Sequence, residues 1–290
     1  MDRQAEDDRM TGQVLDGTLA GAVLPDAVVR ALAQQLNAGE LRQIQPDDVN
    51  ARSANAWLRG AGIFVKLYAR PEHAAAERAV AAALGGLLDG GELPGAGQYA
   101  VFAWQDLVPP PWTTETAARA ASLLNTVHAT DPPAGLRRRE ASEDVFGALL
   151  ERFAREAPDV HAEHQANLTG TTTRDVVRAA ARVETPDVLL HGDFSLRNIG
   201  VRRDGGYALF DFERACTGFA EFDLERIWDR ELASIDGGRT EFVDALDVRP
   251  DEALLNYARL VCALTTVMGA RRTRDENFER EGRARLEALC

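Results

Sequence analysis

The sequence predicts an α+β fold in two lobes, a small β-rich N-terminal lobe and a larger helical C-terminal one. Three observations predict it. Short apolar runs at 41–44, 56–59, 62–67 and 98–104 are bounded by Gly, Asn and Pro and read as strands, with one Ala-rich helical stretch among them. Beyond the Pro-rich linker from Val108 to Pro111 the apolar residues recur at helical spacing. Within that helical part, Ile199 to Arg203 and Tyr207 to Phe212 flank Asp204-Gly205-Gly206, a strong hairpin signal. The lobes are accordingly expected at residues 1–107 and 108–290.

In chain order, Leu24-Pro25-Asp26 opens a helix in which Val28, Val29, Leu32 and Leu36 share a face, and Gly39 closes it. Strands follow at Leu41–Ile44, Ala56–Arg59 and Gly62–Leu67. Pro71 to Leu88 reads as a helix with Val80, Leu84 and Leu87 on its apolar face. Glu77, three residues before Val80, projects close to that face. A carboxylate there needs a partner, and Lys66 in Ile63-Phe64-Val65-Lys66-Leu67 is the natural one. Gly85 to Gly97 reads as a Gly-rich connection and Gln98 to Trp104 as an apolar strand. Thr113 or Thr114 caps the next helix, with Glu115 in its first turn, and Asp131-Pro132-Pro133 ends it. Helices at 141–157 and 174–183 are joined by a polar stretch from His161 to Thr173. A long helix runs from Asp251 to Ala270 and a last one starts near Asn277.

The balance of 33 Lys plus Arg against 46 Asp plus Glu gives a formal net charge of -13. This argues against nucleic acid, whose phosphates require a basic surface. It suits a cationic small substrate, although acidity also serves solubility. Cys216, Cys262 and Cys290 are odd in number and lack metal spacing, which fits a reduced cytoplasm. No stretch reads as long and apolar enough to span a membrane, and no secretory signal is evident, so a cytoplasmic location is expected.

The chemistry concentrates in His191-Gly192-Asp193-Phe194-Ser195-Leu196-Arg197-Asn198 and Phe210-Asp211-Phe212-Glu213. Folded about its turn, the hairpin places Asn198 opposite Asp211 or Phe212, where cross-strand Cβ atoms lie about 5 Å apart. Two oxygen ligands with Asp193 just before them suit Mg²⁺, a hard cation that takes substrate phosphates as further ligands. Taken alone, His-Gly-Asp is a turn and Asn198 a strand-end cap. The spaced Asn, the hairpin and the second Asp together favour the functional reading.

The spacing of Asp193, Asn198 and Asp211 resembles the catalytic loop and metal-binding Asp of protein kinases. With Gly192 after the His, it is most similar to the aminoglycoside phosphotransferase branch of the kinase-like fold, which includes choline, homoserine and macrolide kinases. The resemblance implies a two-lobed kinase-like fold using ATP (or GTP) and Mg²⁺. Asp193 would be the catalytic base, with Asn198 and Asp211 holding the metal. Lys66, paired with Glu77, would reach the nucleotide phosphates. Ser53 and Asn55 would contact phosphate from the loop at 50–55, which lacks the glycines of a protein-kinase loop. Backbone groups near Ala103 and Gln105 would bond the purine, beside Trp104 or Phe102. Asp223 in Phe222-Asp223-Leu224 would anchor the catalytic loop, and His128 would be structural. The implied activity is phosphorylation of a hydroxyl on a small, cationic natural product such as an aminoglycoside or peptide antibiotic, conferring resistance. The alternatives are a metabolic kinase of choline, homoserine or sugar type, and a pseudokinase that binds nucleotide without turnover.

Overall fold

The computed structural model describes residues 23–44 and 55–289. Ser53 lies outside them. The chain divides into two compact units. The first runs to Val108 and also takes in Arg202–Gly206 and Asp211–Ala215; the second holds Pro109–Val201, Tyr207–Phe210 and Cys216–Cys290. The expected boundary at 107/108 has no counterpart for these two later segments, which belong to the first unit through their contacts.

The first unit is built on a five-stranded antiparallel sheet in the order β1-β2-β3-β5-β4. Its strands are β1 (Arg42–Ile44), β2 (Ala56–Arg59), β3 (Ile63–Tyr68), β4 (Leu87–Leu93) and β5 (Gly97–Ala103). Helix α1 (Asp26–Gln35) buries Val28 and Leu32 in a cluster with Leu58, Val65, Leu67 and Val101. Helix α2 (Pro71–Ala83) follows β3. Side chains alternate along a strand. Val65 and Leu67 therefore join the α1 cluster, while Tyr68 packs with Ala74 of α2 and Ala100. Lys66 shares the Tyr68 face, and that alternation delivers an ammonium group to α2.

Helix α2 ends five residues before the expected Leu88. Gly85, at φ 73, and Gly86 close it through bonds from their N–H groups to the carbonyls of Ala82 (3.2 Å) and Ala81 (2.7 Å). The stretch read as a Gly-rich connection contains β4, an edge strand with a bulge between Leu87 and Asp89. Asp89-Gly90-Gly91 carries turn chemistry, but here the two glycines run along an edge strand close against Arg78 and Tyr99. A Cβ on Gly90 would meet Arg78 Cδ at 2.7 Å, and one on Gly91 would meet the Tyr99 hydroxyl at 3.1 Å. A two-residue strand, β6 (Leu107–Val108), ends the unit's continuous stretch.

The second unit is mainly helical. Its helices are α3 (Thr114–His128), α4 (Glu143–Glu156), α5 (Pro158–Leu168), α6 (Thr171–Ala180), α7 (Glu221–Ile227), α8 (Gly238–Asp244), α9 (Glu252–Thr273) and α10 (Glu276–Leu289). Thr113, Ser142 and Asp251 cap α3, α4 and α9 by accepting backbone N–H bonds. Helix α5 occupies much of the stretch read as a polar connection. It buries Val160, His164 and Leu168 at i, i+4 and i+8, a stripe interrupted by a histidine and so too weak in apolar character for sequence periodicity to register.

Helix α9 corrects a further expectation. Its 22 residues are long and apolar enough to cross a membrane by length and composition. Two-thirds of its most apolar window is buried, and Leu254, Tyr257, Leu260, Leu264 and Val267 sit in the unit's core. It serves as the central helix of this unit. Strand β7 (Val188–Leu190) pairs with β10 (Cys216–Gly218), and β8 (Ile199–Arg202) with β9 (Tyr207–Leu209).

Candidate active site

In the first unit, Lys66 is the centre of an acidic cluster. Its side chain is 5% exposed, and its ammonium donates to Glu77 Oε2 at 2.7 Å and Asp211 Oδ1 at 2.5 Å and lies 2.9 Å from Glu213 Oε2. Glu77 is held from three sides: Tyr68 OH donates to Oε2 at 2.8 Å and the Phe212 N–H to Oε1 at 3.2 Å. Burial opposes charge on Lys66, but the three carboxylates outweigh it and raise its pKa well above the ordinary value. Burial raises the Glu77 carboxyl against the pull of Lys66.

Three carboxylates around one ammonium leave two uncompensated negative charges, the charge of one divalent cation. Glu77, Asp211 and Glu213 each offer an oxygen within 4.8 Å of the others. Asp211 is the most accessible, with a third of its side chain exposed. Hard oxygen donors and this charge imbalance fit Mg²⁺.

Asp211 stands at φ 71, in the left-handed region that Asp tolerates better than most residues. That conformation ends β9 at Leu209, three residues short of the expected Phe212. The register also differs from expectation. Ile199 opposes Leu209, so Asn198 falls opposite Phe210, whose N–H donates to the Asn198 carbonyl at 3.0 Å.

Asn55 is buried. Its amide donates to Glu213 Oε2, and its Oδ1 accepts the Ala69 N–H at 3.1 Å, so the side chain ties β3 to the acidic cluster. Ala103 is exposed at the end of β5. Beyond it the Trp104 N–H bonds the Gly62 carbonyl at 2.9 Å, and Gln105 is exposed outside any strand.

In the second unit, the loop after β7 is organised by Asp223 on α7, which is 1% exposed. Its carboxylate accepts the N–H groups of His191 and Gly192, both at 2.8 Å, and faces His128 Nε2 at 3.1 Å. Gly192 takes φ 80, a conformation that disfavours a side chain. His191 Nδ1 accepts the Asp193 N–H at 3.3 Å, so Nε2 carries the proton it donates to the Phe210 carbonyl at 2.9 Å. Asn198 sits in a 3₁₀ turn and donates to the Asp193 carbonyl at 2.8 Å, which leaves its amide oxygen as an acceptor.

The Asp193 carboxylate is bound by two guanidinium groups. Arg197 Nη2 lies 3.0 Å from Oδ1 and 2.8 Å from Oδ2, and Arg226 Nη1 donates to Oδ1. Sequence reading missed Arg226, Arg197 and Glu213. Arg197, four residues after Asp193, and Glu213, two beyond Asp211, both lie within the motif itself. That Arg226 on α7 reaches Asp193 depends on tertiary packing alone.

Burial pushes the Asp223 carboxyl up, but His128 and the backbone donors outweigh it and hold the pKa below its usual value. Its charged form is thus favoured by folding. That stability is present above the unfolded carboxylate pKa of about 4 and is lost as pH falls through the lower folded value. Asp223→Ala is expected to lose about 3–5 kcal/mol at neutral pH, measured by denaturant unfolding, because the donors it satisfies stay buried. It should also flatten the acid limb of stability.

A family model described as the phosphotransferase enzyme family matches residues 50–261. Comparison with curated proteins gives no match. Solved structures agree in fold at low identity. Aminoglycoside phosphotransferase APH(4)-Ia superposes with a TM-score of 0.69 at 13% identity, covering 91% of this chain and 97% of its own. A choline/ethanolamine kinase family protein from Mesorhizobium loti gives 0.62 at 17% identity, over 91% and 93%. The GDP and kanamycin complex of APH(2'')-IIIa gives 0.65 at 12%, over 90% and 97%. The kinase-like fold expected from the sequence is therefore the fold of this chain.

Proposed function

We propose, from the premise that this chain belongs to the phosphotransferase enzyme family, that it transfers the γ-phosphoryl group of ATP or GTP to a hydroxyl of a small cationic natural product. The observation that carries this reading is the Lys66–Glu77 pair bonded to Asp211, a cation aimed by two carboxylates. Lys66 meets the phosphate charge of the nucleotide. Asp211 and Asn198 would hold Mg²⁺, which when bound neutralises charge on the phosphate oxygens. Asp193 orients the acceptor hydroxyl and takes its proton as the new P–O bond forms and the bond to the nucleoside diphosphate breaks. Asp223 and His191 fix the loop that presents Asp193. Positioning and charge stabilisation supply most of the acceleration.

The net charge of -13 favours a cationic acceptor. Structural relatives crystallised with kanamycin, hygromycin B or spectinomycin support an antibiotic of that class. The choline kinase relatives support a second reading, a metabolic kinase of an amino alcohol. Incubation with ATP, Mg²⁺ and both compound sets, followed by mass spectrometry, is expected to show a gain of one phosphoryl group on one acceptor. Nucleotide binding with no phosphorylated product in either set would favour a pseudokinase instead.

A further inference from the structure

Asp193 does not stand alone in its loop; its carboxylate is gripped by two arginines of different character. Arg197 comes from the same loop, and 36% of its side chain is exposed. Arg226 comes from α7, three residues after Asp223, and 15% of its side chain is exposed. Helix α7 therefore contributes two anchors to one loop. Asp223 binds the backbone N–H groups just before Asp193, and Arg226 binds the Asp193 carboxylate itself.

The two contacts divide the carboxylate. Arg226 bonds Oδ1 only, whereas Arg197 spans both oxygens. A hydroxyl that is to pass its proton to Asp193 needs an oxygen that accepts it. Oδ2 becomes that oxygen once Arg197 withdraws, and the exposed Arg197 has solvent to withdraw into. Arg226, which also bonds Cys262 of α9, stays on Oδ1 and anchors that oxygen.

We propose that Arg226 is a positioning residue for Asp193, the fixed arm of a clamp whose movable arm, Arg197, yields Oδ2 to the acceptor hydroxyl. This inference rests on the phosphotransferase reading above. A guanidinium suits the task because its planar fork has rigid geometry, which an ammonium lacks. Burying it beside a carboxylate stabilises little on its own account, so its value lies in orientation.

The test begins with wild-type turnover on the acceptor identified by mass spectrometry. Absence of turnover there counts against the phosphotransferase reading and is distinguishable from everything that follows. With an active wild type, Arg226→Met is expected to lower kcat by about 10²-fold, the scale of a misplaced catalytic group. Its nucleotide KM should stay near the wild-type value, with kcat referred to the folded fraction measured by circular dichroism, because unfolding alone lowers apparent kcat at unchanged KM. Arg226→Lys keeps the charge, guards against failure to fold, and is expected to recover part of kcat. Arg197→Ala should lower the acceptor KM, because the hydroxyl no longer displaces a competing cation. Wild-type kcat in folded Arg226→Met or in Arg226→Lys, or a raised nucleotide KM that accounts for the whole loss, would overturn the assignment of Arg226. A higher acceptor KM in Arg197→Ala would overturn the movable arm.

Discussion

Replacing Asp193 with Asn is expected to lower kcat by about 10²–10⁴-fold, the usual contribution of a positioned general base. Nucleotide affinity should be nearly unchanged, because the Lys66 cluster belongs to the first unit and is untouched. The amide keeps the shape and can still accept from Arg226 and Arg197, so the loop's anchorage through Asp223 and Asn198 is preserved. What it lacks is the capacity to take a proton. Steady-state kinetics and calorimetric nucleotide titration separate the two quantities. A variant that turns over at the wild-type rate removes Asp193 as the base.

The second large effect is expected at Lys66. Lys66→Met leaves Glu77, Asp211 and Glu213 clustered with no cation among them. Breaking a buried ion pair from one side costs about 3–5 kcal/mol, because the abandoned charge stays buried. The loss should appear in denaturant unfolding of the first unit, together with loss of nucleotide affinity. Adding Glu77→Gln relieves part of the repulsion, so the double variant should regain stability without regaining turnover. If the double variant is less stable than Lys66→Met, the repulsion argument is wrong. The same electrostatics sets a pH dependence. The raised pKa of Lys66 means that its contribution is complete below the unfolded lysine value of about 10.4 and disappears only as pH rises through the folded one.

Much of this was legible in the residues. The helical spacing that sets Glu77 near the apolar face of α2, and the need of a carboxylate there for a partner, were enough to pair it with Lys66 in the neighbouring strand. The His191 to Asn198 run announced its loop because its signal is local. What sequence reading missed is what long-range packing decides. Gly90 and Gly91 read as a turn, yet they lie in an edge strand packed close against Arg78 and Tyr99. The hairpin is legible, but its register differs by one or two residues, because the turn closes with the Arg202 N–H on the Gly206 carbonyl and pairs Val201 with Tyr207. The bonds of the Asn55 amide to Glu213 and Ala69, partners 158 and 14 residues away, likewise carry no local signal. Arg226 carried no signal at all, since its partner lies 33 residues earlier in the chain.

The most direct measurement for this account is calorimetric titration of ATP with and without Mg²⁺, on wild type and on Asp211→Asn. The acidic surplus around Lys66 should make wild-type binding strongly Mg²⁺-dependent. Asp211→Asn should lose most of that dependence and keep its metal-free affinity. Equal ATP affinity with and without Mg²⁺ in the wild type would contradict the reading of this cluster as a metal–nucleotide site.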